Sequence, residues 1–153
     1  MNDAPLHIRP ATLVDLSHLV AWNVAMAMET EARPLDTATL EAGVRGLFAD
    51  ARRGFYLVAE LADEVVGGLL VTYEWSDWRN GDFWWIQSVY VTEHARRRGV
   101  FRALYADVEA RARAAGAVGL RLYVEQENTR AQQTYANLGM HHCRYHMYEA
   151  EFA

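Results

Sequence analysis

A cluster of arginines surrounds one glycine at the point where a hydrophobic run, residues 85–91, gives way to an amphipathic run, residues 101–115. This pattern predicts a turn from a strand into a helix, and residues 96–102 are called the arginine turn below. A helix start leaves backbone N–H groups unpaired and carries the positive end of the helix dipole, and Gly99 lets a ligand come close to the backbone. The sequence therefore predicts a site for phosphate groups at this turn.

A second pattern follows about thirty residues later. A strand-like run at 120–124 precedes four spaced residues, which are Asn128, Ala131, Tyr135 and Gly139. Asn128 is a good N-cap because its side-chain oxygen can accept a hydrogen bond from the amide of residue 130 or 131, and Gly139 tolerates the positive φ of a C′ position. The spacing predicts a short helix with Tyr135 near its last turn.

The two patterns together resemble a known family, the GCN5-related N-acetyltransferases. The arginine turn is similar to the family's pyrophosphate-binding motif, and the series from Asn128 to Gly139 is similar to its C-terminal signature. Each pattern comes after a predicted strand and before a predicted helix, in the order that the family requires. One position departs from the motif: Phe101 stands where the family usually has Gly or Ala, so its ring is expected to turn away from the ligand.

The resemblance implies acetyl-CoA as the cofactor and a cleft between splayed central strands, here 83–92 and 118–124. Main-chain groups of Val89, Tyr90 and Val91 would pair with the pantetheine arm, and the amides of the arginine turn would hold the pyrophosphate. The implied cofactor-binding residues of the two motifs are Arg96, Arg97, Arg98, Gly99, Val100, Phe101, Arg102, Asn128, Ala131 and Tyr135.

The chemistry expected of such a site is direct attack by an amine on the thioester carbonyl. The ammonium, with a pKa near ~10, must lose a proton, the oxyanion needs hydrogen-bond donors, and the departing thiolate needs a proton. Tyr135 is the expected general acid, and the main-chain amide of Val91 is the expected oxyanion donor. Glu74 is taken as the general base, with Asp77, Glu29 and Glu31 as open alternatives.

Acceptor contacts are expected from two acidic segments. Trp75 and Asp77 lie beside Glu74, where carboxylates and aromatic rings could together bind an ammonium. Glu29 and Glu31 follow the first predicted helix, near the acceptor entrance of the family fold. Solvated acids in exposed loops remain the alternative explanation for both segments.

Composition limits the classes of protein that fit. The 153 residues are 52% apolar, which suits a single domain spanning 1–153 with a real core. A net charge of −5 argues against nucleic-acid binding, because many phosphate contacts need a broad basic face and here the arginines are concentrated in one turn. No apolar run approaches the ~20 residues that span a bilayer, so a cytoplasmic location is expected. The single cysteine, Cys143, excludes an internal disulfide, no metal site is expected, and a homodimer stays open.

The predicted fold is α/β, a mixed and largely antiparallel central sheet flanked by helices. Two hairpins are expected, one about Asp63 and one about Asn80–Gly81. The predicted elements are a strand at 6–9, helices at 13–29 and 37–50, strands at 55–61, 65–75 and 83–92, a helix at 100–115, a strand at 118–124, a helix at 129–138 and a final strand at 141–152.

Two hypotheses follow for the function. The first is an acetyl-CoA-dependent N-acetyltransferase that acts on a small amine, a lysine or an N-terminal amine. The second is a non-catalytic module of the same fold that binds an acyl-CoA as a sensor or interaction partner. Replacing Tyr135 by Phe separates them, because only an enzyme has turnover to lose.

Overall fold

The computed structural model describes residues 5–152 as an open five-stranded sheet with four α-helices. Short 3₁₀ turns at Leu13–Asp15 and Glu93–Ala95 precede the first helix and the arginine turn. The elements are β1 (Leu6–Pro10), α1 (Leu16–Glu31), α2 (Thr37–Ala49), β2 (Gly54–Leu61), β3 (Glu64–Ser76), β4 (Gly81–Val91), α3 (Val100–Ala114), β5 (Gly119–Arg121) and α4 (Thr129–Asn137).

The strands follow one another across the sheet in chain order, β1-β2-β3-β4-β5. The first four are antiparallel, and only β5 runs parallel to its neighbour β4. Both predicted hairpins are confirmed: Ala62 and Asp63 take positive φ angles of 51° and 64° between β2 and β3, and Asn80 takes 47° before β4. Asn and Asp tolerate this left-handed conformation better than most residues, which explains their place in these tight turns.

Helices pack on both faces of the sheet. On one face, buried side chains of α1 and α2 contact β2, and this cluster contains Leu19, Trp22, Val44, Leu47, Tyr56 and Val58. The two adjacent glycines of β3 face opposite sides of the sheet. A Cβ at Gly68 would lie 3.1 Å from Trp22 of α1, and a Cβ at Gly67 would lie 3.4 Å from Val100 of α3. The faces are called the α1 face and the α3 face below.

The end of the chain departs from the predicted pattern. Only residues 119–121 of the predicted strand 118–124 form a ladder, and the predicted final strand at 141–152 is wrong, since no strand is formed there. Side chains in this stretch are exposed throughout. The alternating pattern of the sequence therefore has no buried face that would stabilise a strand.

The chain divides into two compact units, residues 1–122 and 123–153, of which 5–122 and 123–152 are described. The first contains the whole sheet with α1, α2 and α3, and the second contains α4 and the residues that flank it. None of the helices in the described residues is both long and apolar enough to cross a membrane.

Candidate active site

A β-bulge interrupts β4 at Ser88 and Val89. Gly68 pairs with Tyr90 and Leu70 with Gln87, so two residues of β4 oppose the single residue Leu69 of β3. Ser88 takes a positive φ of 49° to accommodate the extra residue. Side chains normally alternate between faces, but the bulge changes this order, and Gln87 and Tyr90 both lie on the α1 face.

Beyond the bulge, one edge of β4 is not paired with any strand of the described part of the first unit and is called the open edge below. β5 pairs with β4 only at residues 83–85, so in the described chain the strands separate after Trp85, as the splayed fold requires. The Thr92 amide donates to the Val66 carbonyl on β3 at 2.8 Å. Main-chain groups of successive residues in an antiparallel ladder point alternately toward and away from the neighbour, so those of Val91 face the open edge and those of Tyr90 face β3. The Val91 amide therefore faces the side where an oxyanion donor was expected.

The arginine turn takes an unusual backbone path. Arg97 and Gly99 both have positive φ angles, 64° and 76°, and α3 begins at the next residue, Val100. Val100 is buried and anchors the start of the helix, whereas the side chains of Arg97, Arg98 and Arg102 are exposed. The first amides of α3 and several cationic side chains thus occur in one short segment, which suits phosphate groups.

Phe101 is half-buried and packs along its own helix. Its ring centroid lies 6.3 Å from that of Tyr105, one turn further along α3. A bulky residue at this motif position is thus accommodated by packing within α3.

Arg96 links three parts of the first unit. Its Nη2 donates to Oε2 of Glu29 at the end of α1, its Nε donates to the Val91 carbonyl, both at 2.9 Å, and its guanidinium lies 5.5 Å from the centre of the Tyr90 ring. The Tyr90 hydroxyl donates to Oε1 of Glu29 at 3.3 Å, and its ring stacks on Trp22. Burial, and next the charge of Glu29, raise the pKa of the Tyr90 phenol.

Glu74 belongs to a polar strip on the α1 face, at the opposite end of β4. It accepts a hydrogen bond from Arg121 Nη1 of β5 and another from Trp85 Nε1 of β4, the latter at 3.3 Å. The Arg121 guanidinium lies 3.6 Å from the centre of the Phe83 ring. Glu74 was predicted as the general base. These contacts hold its carboxylate beside the Arg121 guanidinium, which itself lies on the Phe83 ring.

Sequence reasoning missed most of this strip. Gln87 donates to Thr72 at 2.6 Å, which continues the strip toward the bulge. The available signal was the period of two: polar or amphipathic side chains recur at positions 72 and 74 of β3 and at 85 and 87 of β4. Arg121 gave no such signal, because β5 is too short to show a period.

The other predicted acceptor residues lie apart from Glu74. Trp75 follows Glu74 on β3 and therefore points to the opposite face, where it is 61% exposed. Asp77 is exposed in the β3–β4 turn and accepts from the Trp78 amide at 2.8 Å. Glu31 is exposed at the end of α1. Glu74 and Trp75 thus do not share one cation site.

The second unit contains the helix α4 as the sequence predicted it. The Ala131 amide donates to Oδ1 of Asn128 at 3.1 Å, which confirms the N-cap. Gly139 takes a φ of 90°, its amide donates to the Ala136 carbonyl at 3.0 Å, and the Met140 amide donates to the Tyr135 carbonyl at 3.1 Å. This pair of bonds is a Schellman motif. Tyr135 is half-buried in the last turn, and burial raises the pKa of its phenol.

Comparisons with known proteins agree with this geometry. The family model described as "Acetyltransferase (GNAT) family" matches residues 19–140. The crystal structure of a possible acetyltransferase from Clostridium difficile 630 is 45% identical, with a TM-score of 0.90, over 97% of this chain and 98% of that one. A search of curated protein sequences gave no match.

Two more distant structures share the fold. A predicted acetyltransferase with acetyl-CoA from Clostridium acetobutylicum is 14% identical, with a TM-score of 0.80, over 95% of this chain and 96% of that one. A ribosomal-protein-alanine N-acetyltransferase from Brucella melitensis biovar Abortus 2308 is 18% identical, with a TM-score of 0.76, over 97% and 100%. The chain belongs to the GNAT family of acetyltransferases, and its cofactor is acetyl-CoA.

Proposed function

We propose that the protein is an N-acetyltransferase that moves the acetyl group of acetyl-CoA directly to a primary amine. The observation that carries the proposal is the open edge of β4 beyond its bulge, which is followed directly in the chain by the arginine turn. Acetyl-CoA supplies the thioester carbonyl that the amine attacks. The protein has to bind acetyl-CoA, take a proton from the amine, stabilise the oxyanion and protonate the thiolate.

Binding of acetyl-CoA is assigned to the two features that follow one another in the chain. The amides from Arg97 to Arg102 and the exposed guanidiniums of the turn suit a pyrophosphate. The Val91 carbonyl faces the open edge, where an amide of an extended arm can donate to it in place of Arg96, as an added strand does. Asn128 and Ala131 begin the helix that carries the family's second motif, and we assign them to cofactor binding on that ground.

Three residues are assigned to the chemistry. The Val91 amide donates to the oxyanion, and Tyr135 protonates the departing thiolate. The raised pKa of Tyr135 supports its part, because a general acid must hold its proton at the working pH.

Glu74 is in register with Phe83, about 23 Å along β4 from Val91, which is too far to take the proton of the same amine. The base is therefore assigned to Glu29, the alternative that lies at the Val91 end through its contacts with Tyr90 and Arg96. Glu29, Glu31, Trp75 and Asp77 stay candidates for acceptor contacts, and Glu29 is the one that also contacts the arginine turn.

The test is acetyl-CoA-dependent release of free CoA thiol across a panel of amino acids, polyamines, aminoglycosides and lysine peptides. A blank without acceptor corrects for the exposed thiol of Cys143. An acceptor that accelerates release, with an N-acetylated product seen by mass spectrometry, would support the proposal. If acetyl-CoA binds in a calorimeter but no amine of the panel is acetylated, the result favours a non-catalytic acyl-CoA sensor or an acceptor outside the panel.

A further inference from the structure

Three groups of the first unit surround the guanidinium of Arg96. Its Nη2 donates to Oε2 of Glu29, its Nε donates to the Val91 carbonyl at the open edge, and its central carbon lies 5.5 Å from the centre of the Tyr90 ring. A carboxylate, a carbonyl and an aromatic face are groups with which proteins bind organic cations. The place that Arg96 fills is therefore suited to a cation, and it is called the cation site below.

The aromatic wall of the cation site is anchored independently of Arg96. The Tyr90 ring stacks on the buried Trp22 with a centroid distance of 6.1 Å, and the Tyr90 hydroxyl donates to Oε1 of Glu29. By contrast, the side chains of Arg96 and Glu29 are 41% and 49% exposed, and an ion pair at such exposure adds little stability. The guanidinium can therefore leave while the ring and the carboxylate stay in place.

The cation site lies beside the place proposed for the thioester carbonyl. One guanidinium bridges Glu29 and the Val91 carbonyl, so these two groups are at most about 8 Å apart, the span of two hydrogen bonds and the guanidinium between them. Val91 also supplies the amide assigned to the oxyanion. An ammonium held by Glu29 and Tyr90 is therefore within reach of the carbonyl that its amine must attack.

Arg96 has two reasons to leave the cation site when acetyl-CoA is bound. The Val91 carbonyl, which accepts from Arg96, is also the group assigned to an amide of the pantetheine arm. Arg96 is in addition the first residue of the arginine turn, where a pyrophosphate would meet its guanidinium and the start of α3. The cofactor would thus take away one hydrogen bond of Arg96 and offer it a second anion.

We propose that Glu29 and Tyr90 form the subsite for the ammonium of the acceptor, and that Arg96 occupies this subsite until acetyl-CoA draws its guanidinium away. This inference rests on the proposed function and deepens it, because it names the groups that bind the amine and the residue that keeps them closed. One cation replaces another beside the same carboxylate, so the exchange leaves the local charge unchanged. Glu29, once released by Arg96, holds the ammonium from which it takes a proton.

The test measures binding, so that it does not depend on turnover. Calorimetry follows the amine into the protein with and without CoA, which has no acetyl group to transfer. The amine is the best acceptor of the panel, or putrescine if the panel gives none. Arg96→Ala empties the cation site, and the matched control Arg98→Ala removes an exposed arginine from the same turn. Urea unfolding of each variant confirms that it is folded.

CoA should raise the affinity of the unchanged protein for the amine about tenfold, which corresponds to a cation site that Arg96 fills about nine-tenths of the time. The amine should raise the affinity for CoA by the same factor. Arg96→Ala should bind the amine without CoA as tightly as with it, whereas Arg98→Ala should bind CoA more weakly and keep the tenfold effect. A tenfold effect that survives Arg96→Ala, or none in the unchanged protein, would overturn the proposal. A purely structural Arg96 would lower stability on replacement and leave the effect of CoA unchanged.

The aromatic wall is tested with two further variants. Tyr90→Phe keeps the ring face, and Tyr90→Leu removes it. With CoA bound, Tyr90→Leu should bind the amine about threefold more weakly than Tyr90→Phe does, because a cation–π contact is lost. Equal affinities of the two variants would contradict the place given to Tyr90 in the subsite.

A failure of the proposed function gives a different result from a failure of this inference. If no amine is acetylated, but CoA raises the affinity for putrescine and Arg96→Ala removes this effect, the subsite is supported and the transfer is not. If amines are acetylated but CoA has no effect on amine binding, the transfer is supported and the part of Arg96 is overturned.

Discussion

Nη2 of Arg96 lies 2.9 Å from Oε2 of Glu29, although 67 residues separate them in the chain. The pair ties the end of α1 to the start of the arginine turn, and the same guanidinium caps the Val91 carbonyl at the open edge of β4. Glu29 was predicted as an acceptor contact and Arg96 as a cofactor contact. Their ion pair places a negative charge directly beside the segment proposed for the pyrophosphate.

Glu29→Gln is expected to tighten acetyl-CoA binding, because it removes a charge that competes with phosphate for Arg96. Both side chains are more than 40% exposed, so the effect should be small, about threefold in Kd at low salt, and should fade as salt increases. Calorimetric titration at two salt concentrations measures it. Glu31→Gln is the matched control, since Glu31 is exposed on the same helix end. Equal effects of the two substitutions would mean that the ion pair itself has no part in cofactor binding.

The same substitution, Gly to Ala, should have opposite effects on stability at two sites. A Cβ at Gly99 or at Gly43 meets no atom within 4 Å, so crowding is excluded at both. Gly99 has a φ of +76°, where Ala is strained, and Gly99→Ala should lower the free energy of unfolding by about 1 kcal/mol. Gly43 is exposed within α2, and Gly43→Ala should raise it by about 0.5–1 kcal/mol. Urea unfolding measures both, and a stabilising Gly99→Ala would contradict the conformation assigned to the turn.

Tyr135→Phe is expected to lower kcat strongly, by about a hundredfold, while leaving acetyl-CoA affinity within about twofold. The ring and its packing are kept, and only the hydroxyl is lost. Because burial raises the pKa of this phenol, the unchanged enzyme should keep its acid protonated through neutral pH and lose kcat only above the ordinary tyrosine value of ~10. Single-turnover thiol release against pH checks this. Full activity of Tyr135→Phe would assign the proton to another donor.

Asp15 should make stability depend on acid pH. It is 2% exposed and accepts two hydrogen bonds from the Arg9 guanidinium, at 2.8 and 3.0 Å, and one from the Thr12 amide. Burial works against ionisation of Asp15, but these bonds outweigh it and lower the pKa of its carboxyl.

A lowered folded-state pKa means that the contribution of Asp15 is complete above its unfolded value of ~3.9 and is lost as the pH falls through the folded value. Asp15→Asn should therefore cost about 2 kcal/mol at pH 7 and progressively less below pH ~4. Urea unfolding between pH 7 and 3 measures the difference. Glu41→Gln, which breaks an exposed pair on α2, should cost under about 0.5 kcal/mol at every pH. A constant cost of Asp15→Asn down to pH 3 would contradict the assignment.

Most of the elements could be predicted from the sequence because their signals are local. Turn residues such as Asp63 and Asn80, the N-cap Asn128 and the C′ residue Gly139 act through their own backbone or side chain, and all four behave as expected. The final strand could not be predicted in the same way. A strand forms only against a neighbour, and alternation within 141–152 carries no information about whether one is present.

The candidate site was predictable only in part for a related reason. The arginine turn and the α4 signature are contiguous motifs, whereas the strip around Glu74 is built from three strands that are joined only by the fold. Arg121 is 47 residues from Glu74, and no spacing rule connects them. Ser88 also does not indicate the bulge in the sequence, because serine is not a residue that favours positive φ.

The extra residue in β4 reverses the alternation of side chains between the two faces of the sheet for every residue that follows it in the strand. Side chains alternate between the faces in one order over residues 81–87 and in the opposite order over residues 90–91, so an unbroken alternation along the strand places one of these two segments on the wrong faces. Straightening the bulge with every residue kept would impose a single phase and exchange the places of Tyr90 and Val91. The phenol that meets Glu29 would then be turned toward α3, and the link between the end of α1 and the open edge of the sheet would be lost.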